Sequence, residues 1–379
     1  MISYKESRNY SIAIDSTRSG SGGAKRFIKN LMEGLLEHTD LNIVLFLDDE
    51  QLNTYSSKKV KIIKIKYNKG YLIRILNTTL LIPLRARLFG CSLIYSPWDI
   101  GPLIRILPSI VGIHNPNSII PNKLRAIKAH KIHEFLSKLS SRKAIAIEFP
   151  SQSAAKEIGD HFRIENSKRH VIYHGAEITK WRKAISRIEK SKTENIMGDY
   201  FIFWSWFYPA KNITTLIEAF SEYIKTYDSS KDIKLICVGN FVYKKYKEEI
   251  YLLIESLNIS ERVIFLENIN DDELTKLIYF SKTMIIPSLY ETFGYMYVEG
   301  RLFNKPFIVA DTNIAREITE DQCIYFSGNN PKDLSSKMNE VSLDKDNYIN
   351  YNISKDFFEE SSSKNLGKFF SDCINNTIK

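Results

Sequence analysis

Cysteine is scarce: Cys91, Cys237, Cys323 and Cys373 are the only four in 379 residues, and none lies in a CxxC or Cys/His spacing. A disulfide framework and a zinc site are therefore not indicated, and a reducing compartment fits. Long apolar runs are missing too. No stretch of about eighteen uncharged apolar residues occurs, and the opening MISYKESRNYSIAID has no apolar segment before a cleavage site. A spanning helix and a standard export signal are not expected, which puts the chain in the cytoplasm. Solenoid-length repeats and low-complexity tracts are absent as well.

What is present is a globular composition. A hydrophobic content of 44% over 379 residues supplies two ordinary cores. Charge is unevenly divided. Residues 1–170 hold 27 Lys+Arg against 14 Asp+Glu, a net of +13, so the remainder, 26 against 30, carries −4. A basic half of this size points to an anionic partner there: nucleic acid, an anionic membrane surface or a phosphorylated acceptor.

Short β-branched runs at Ser11–Asp15, Asn42–Leu47, Val60–Ile65, Ser92–Tyr95 and Ser109–Ile113 read as strands, with helical periodicity at Ala24–Leu36 and Leu124–Leu139. After the polar stretch Lys183–Asp199 the pattern restarts at Tyr200–Trp204, Ile233–Val238, Val263–Leu266, Met284–Ile286 and Phe307–Ala310. The expected fold is α/β, with two Rossmann-like doubly wound domains facing a cleft. The expected division is 1–182, a linker at 183–198, a second domain at 199–355, and a tail helix at 356–379 packing back on the first domain.

Four segments carry the chemistry. PSLYETFGYMYVEGRLFNKP, Pro287–Pro306, sets Glu291 and Glu299 with seven residues between them around a Phe-Gly turn, with a strand before it and a helix from Gly294. A helix start flanked by carboxylates suits a ligand that has both phosphates and hydroxyls. SGSGGAKRF, Ser19–Phe27, follows the first strand; Gly22 and Gly23 would let a phosphate or sugar approach closely, although the segment is neither G-x-G-x-x-G nor a Walker loop. FIFWSWFYPAKN ends in Lys211, and IHNP places His114 and Asn115 at the end of a strand.

Together these segments, from about residue 11 to about residue 325, resemble retaining family 4 glycosyltransferases of the GT-B fold (glycosyl transferases group 1), such as those of bacterial surface-polysaccharide and O-antigen synthesis. The resemblance implies a nucleoside diphosphate sugar donor and a glycan or polyprenyl-diphosphate-linked acceptor, with no metal or other cofactor. It makes Glu291, His114 and Lys211 catalytic, and gives donor binding to Gly22, Gly23, Lys211, Glu291, Phe293, Gly294, Tyr295 and Glu299. Arg26 and Asn115 are candidate acceptor or diphosphate contacts, and the loop Glu267–Ile269 lies where relatives recognise the base. His174 occupies a turn before the linker and reads as structural. Where many relatives carry arginines beside the lysine, this chain has Trp206 and Ala210, which leaves room for a catalytically silent partner subunit.

The acidic runs Asp48–Glu50 and Asp271–Glu273 look like loops or helix starts, with Asp271-Asp272 as an N-cap and first-turn acids, and not like metal sites. Residues 71–89, with Arg74, Arg85 and Arg87 among apolar positions, read either as a surface-seeking amphipathic segment or as a core-facing helix. With the basic half, the first reading gives peripheral contact with the cytoplasmic face of the inner membrane. A nucleic-acid-binding role is disfavoured, because the basic residues are dispersed without interleaved stacking aromatics.

Overall fold

The computed structural model describes residues 10–17, 22–47, 57–65, 70–121, 124, 130–191, 198–227, 232–343 and 349–377. The chain divides into two compact units. One comprises Met1–Ile119, Ala129–Gly175 and Lys355–Lys379, the other Ile120–Lys128 and Ala176–Ser354.

The first unit is built on strands β1 (Ser11–Asp15), β2 (Asn42–Leu47), β3 (Val60–Lys64), β4 (Leu93–Ser96), β5 (Ser109–Gly112), β6 (Ala146–Phe149) and β7 (Arg169–Val171), in the order β3-β2-β1-β4-β5-β6-β7. Every pair is parallel. The order reverses at β1, which pairs with both β2 and β4, so their carboxyl ends border a switch point where such sheets bind ligands. Strands β1 and β4 are buried along nearly their whole length, as expected for strands covered on both faces.

The helix Gly22–His38 buries Phe27, Ile28, Leu31, Met32 and Leu35 at helical spacing, in one core with Leu366, Phe369, Phe370 and Ile374 of the tail helix Glu359–Thr377. Glycine permits that contact. A Cβ at Gly34 would lie 2.1 Å from the Ser363 carbonyl oxygen, and one at Gly367 would lie 2.5 Å from that of Gly34. The tail helix thus packs within the first unit.

The second unit repeats the theme with β8 (Tyr200–Trp204), β9 (Lys234–Val238), β10 (Val263–Leu266), β11 (Thr283–Ile286), β12 (Phe307–Ala310) and β13 (Ile324–Phe326), ordered β10-β9-β8-β11-β12-β13 and parallel throughout. Its switch point lies between β8 and β11.

The boundary differs from the expected one. It falls at Gly175/Ala176, and residues 183–191 of the expected linker are the end of the helix Ile178–Ser191. That helix looks polar because most of it faces solvent; Ile178, Trp181 and Ile188 are buried at a spacing of three and seven, and Trp181 meets Phe303 edge-on at 5.8 Å. Residues 192–197 and the acidic run Asp48–Glu50 lie outside the described residues. At the other acidic run the cap is Asn270, not Asp271: its side chain accepts from the Glu273 N–H, the Glu273 carboxylate accepts from the Asn270 N–H, and Asp271 and Asp272 fill the first turn. The helix expected over Leu124–Leu139 runs instead over His130–Lys143, with residues 125–129 outside the described set.

Candidate active site

At the switch point of the second unit the loop after β8 meets the loop after β11. The Leu289 N–H donates to the Ala210 carbonyl at 3.2 Å, which ties the two loops together. Asn212, at φ 56°, turns the chain into the helix Ile213–Thr226; its amide donates to the Gly328 carbonyl at 2.6 Å and accepts from Thr215 at 2.8 Å. Asn is one of the few residues that takes this left-handed conformation readily. One residue before it, Lys211 is only 5% exposed, and its ammonium donates to the Glu291 carboxylate. Burial alone would pull the Lys211 pKa down, but Glu291 and the adjacent Tyr208 more than offset this and leave it raised. Two residues predicted from separate segments thus form one buried ion pair.

Phe293 is buried against Tyr295, ring centroids 5.3 Å apart, and Gly294, at φ +74°, caps the helix Tyr295–Arg301. A Cβ at Gly294 would sit 2.7 Å from the Tyr297 ring, so glycine is required for space as well as for φ. The helix has only seven residues, which limits its dipole; Lys211 is the full positive charge at this site. Glu299 lies within that helix, 4% exposed. Trp206 is half-exposed and Ala210 fully buried, so neither supplies a cation. Glu267, in the loop after β10, pairs with Lys247 at 2.7 Å on the surface.

The first unit gathers a second group. Gly22 and Gly23 form the first turn of a helix, not a loop before one; Ser19–Ser21 lie outside the described residues. Next to the half-buried Arg26, Phe27 packs edge-on to His114 with centroids 4.3 Å apart and meets His174 at 4.9 Å. The glycine opening and the IHNP loop are therefore brought to one place. His114 Nε2 lies 2.6 Å from a carboxylate oxygen of Glu148, which also accepts from the Tyr95 hydroxyl at 2.8 Å. Asp99, at φ 64°, accepts from the backbone N–H groups of His114 and Asn115 at 3.0 and 3.2 Å and from the Asn115 amide at 2.7 Å. Asn115 is thus engaged by Asp99.

Sequence reasoning passed over Glu148, Asp99, Tyr95 and Asp15. Asp15 ends β1 fully buried, where it accepts from Thr17 and from Thr78 at 2.8 Å. Thr78 belongs to a π-helical turn, Asn77–Leu81, a local irregularity often found near functional sites. Acids ending or interrupting apolar runs, as in SIAID and AIAIEF, were the available signal.

The family Glycosyl transferases group 1 matches residues 185–356, the stretch that contains Lys211, Glu291 and Glu299. Over that stretch the chain is similar to this family. Among similar proteins, an uncharacterized glycosyltransferase of Methanocaldococcus jannaschii is 26% identical over 69% of this chain and 67% of its own length. The O-antigen chain mannosyltransferase RfbU of Salmonella typhimurium is 23% identical over 55% of this chain. The match spans 54% of RfbU, so this chain covers about half of that relative. Among solved structures, the fold is shared with sucrose-phosphate synthase of Thermosynechococcus elongatus (TM-score 0.73, 14% identity, 97% of this chain and 100% of that one). It is shared also with Anabaena HepE in complex with UDP and glucose (TM-score 0.63, 16% identity, 97% and 98%). The fold is therefore that of GT-B glycosyltransferases, as the resemblance implied.

Proposed function

We propose that this chain is a group 1 glycosyltransferase that moves a hexose, with retention, from a nucleoside diphosphate sugar to a glycan or lipid-linked glycan acceptor in surface-polysaccharide synthesis of the O-antigen type. The observation that carries the reading is the buried Lys211–Glu291 pair at the switch point of the second sheet. A carboxylate suited to sugar hydroxyls and a cation suited to a diphosphate share one position, beside the backbone N–H groups of Phe293, Gly294 and Tyr295. In this scheme Lys211 stabilises the departing diphosphate. Glu291 holds donor-sugar hydroxyls and stabilises developing oxocarbenium charge, while Glu299 accepts from the ribose. The leaving phosphate takes the acceptor proton on the same face, so no covalent enzyme intermediate forms. His114 hydrogen-bonds the donor sugar from the first unit. Gly22, Gly23 and Arg26 line the donor and acceptor side, and no metal takes part.

The mannosyltransferase relative makes a mannose donor the first to test, with UDP-glucose second because HepE binds it. A thermal-shift panel of nucleotide sugars, followed by transfer assays in EDTA, is the test. One donor should stabilise the chain and be consumed without added metal. Donor binding without hydrolysis or transfer would favour the silent partner subunit, and strict Mg²⁺ or Mn²⁺ dependence would overturn the metal-free scheme.

The acceptor reading gains support from residues 71–105. Leu72 is 74% and Leu88 86% exposed, and Ile73, Leu76, Leu84, Phe89 and Ile104 are also exposed beside Arg85, Arg87 and Arg105. These side chains are not core-facing, which favours the surface-seeking alternative. A face that mixes apolar and cationic groups suits an anionic leaflet, with each basic residue adding about 1 kcal/mol within a Debye length. No helix among the described residues is long and apolar enough to cross a membrane, so attachment of this kind would be peripheral. Co-sedimentation with vesicles should require anionic lipid, weaken in high salt, and fall when Arg74, Arg85 and Arg87 become Gln. Indifference to anionic vesicles at low salt would remove the membrane from the scheme.

A further inference from the structure

We propose that Glu148 is a positioning residue that sets the ring orientation and tautomer of His114. The inference rests on the proposed role of His114 at the donor sugar. Glu148 sits on β6 between Ile147 and Phe149, fully buried, directly across from Gly112 of β5. Three polar groups from adjacent strands converge over that glycine. A Cβ at residue 112 would lie 2.6 Å from the Tyr95 hydroxyl, 2.9 Å from the Glu148 carboxylate and 2.9 Å from His114 Nε2. Any other residue there would break the cluster. Asp99 already fixes the backbone here through the N–H groups of His114 and Asn115, and Phe27 and His174 lie edge-on to the His114 ring at 4.3 and 4.7 Å. What remains free to vary is which ring nitrogen carries the proton, and Glu148 decides it by accepting from Nε2. Nδ1 is then the acceptor nitrogen of the ring.

The ligand atoms of His114, Glu148 and His174 all lie within 4.8 Å of one another, close enough to suggest a metal site. The closest pair decides against it. At 2.6 Å, Nε2 and the carboxylate oxygen are at hydrogen-bond distance, whereas two ligands of one tetrahedral zinc at 2.0–2.1 Å lie about 3.3 Å apart. Burying a carboxylate fully is also costly, and an apolar residue would serve stability better, so the placement points to function.

The test is ¹⁵N-edited NMR of the histidine rings in the full chain, with the His114 signal assigned by its loss in His114→Gln. The expected wild-type state is the Nε2-protonated ring; an Nδ1-protonated ring overturns the proposal without any variant. In Glu148→Gln the tautomer should shift and kcat should fall on the order of 10- to 100-fold, the range for removing an outer partner of a functional histidine. The Kd for free nucleoside diphosphate should stay unchanged. Tyr95→Phe, which keeps the carboxylate, should keep the tautomer. An unchanged tautomer or kcat in Glu148→Gln, or stoichiometric zinc in the purified protein, overturns the proposal. If the unsubstituted chain transfers no sugar, the function reading fails, and the NMR result still decides the positioning claim.

Discussion

Lys211 and Glu291 are each other's counter-charge in a site with little water, so removing either leaves an uncompensated buried ion. Lys211→Met or Glu291→Gln alone should destabilise the second unit by about 3–5 kcal/mol, and the double substitution by less than the sum. Additive losses in a denaturation cycle would mean the pair is not coupled. Function should separate where stability does not: Glu291→Gln should mainly lower turnover, while Glu299→Gln should weaken nucleotide binding by about 1–3 kcal/mol. Equal, small effects of both in a titration and a rate assay would count against these roles. His174 adds a pH dependence. Burial, with His114 beside it, holds its pKa well below the usual 6.5. Below about pH 6.5 the unfolded chain binds the proton more readily, so stability present above that value should be lost as pH falls. Denaturation midpoints at pH 7.5 and 5 should show the loss, and His174→Asn should reduce it.

At the scale of elements, a buried arginine and a half-buried lysine behave differently. Arg301, fully buried, donates to the carbonyls of Ile318 and Thr319 at the end of the helix Asn313–Thr319 and pairs with Glu320 at 2.9 Å, so it closes a helix terminus. Lys305 has one close acceptor, the Ser281 carbonyl at 2.6 Å, and burial lowers its pKa to about 8. Its penalty is complete below pH 8, and stability should rise between about pH 8 and 10 as the ammonium loses its proton in the fold first. Lys305→Met should therefore stabilise the second unit at pH 7, on the order of 1 kcal/mol after the lost hydrogen bond, seen as a higher Tm.

The readable elements were those with an apolar run and a turn signal. Strands β1, β2, β8 and β12 are legible to the residue, and Lys211, Glu291 and Gly294 stand in motifs whose spacing is set by one strand, one turn and one helix. The missed elements β6, β7 and β13 are short or interrupted by polar residues. Glu148 in AIEF carries no local signal of its acceptor role, because that role depends on Tyr95 of β4 and on His114 just beyond β5, a contact that no local pattern encodes. The helix Ile178–Ser191 was obscured for the opposite reason, since its few buried residues are diluted by a long solvated face.

In the whole molecule, the tail helix Glu359–Thr377 completes a core whose other members all precede residue 173. Deleting residues 355–379 should remove the cooperative calorimetric transition of the first unit and leave that of the second; survival of both would show the tail to be dispensable. The same packing has a consequence in time. Ribosomes deliver roughly 5–20 residues per second, so tens of seconds separate the emergence of the Gly22–His38 helix from that of its partner. The apolar face that Leu366, Phe369 and Phe370 will cover is uncovered throughout. The unit made first is thus finished last, which makes the nascent chain a client for chaperones at its amino-terminal half and places any premature stop after residue 354 among the lesions that damage the opposite end of the sequence.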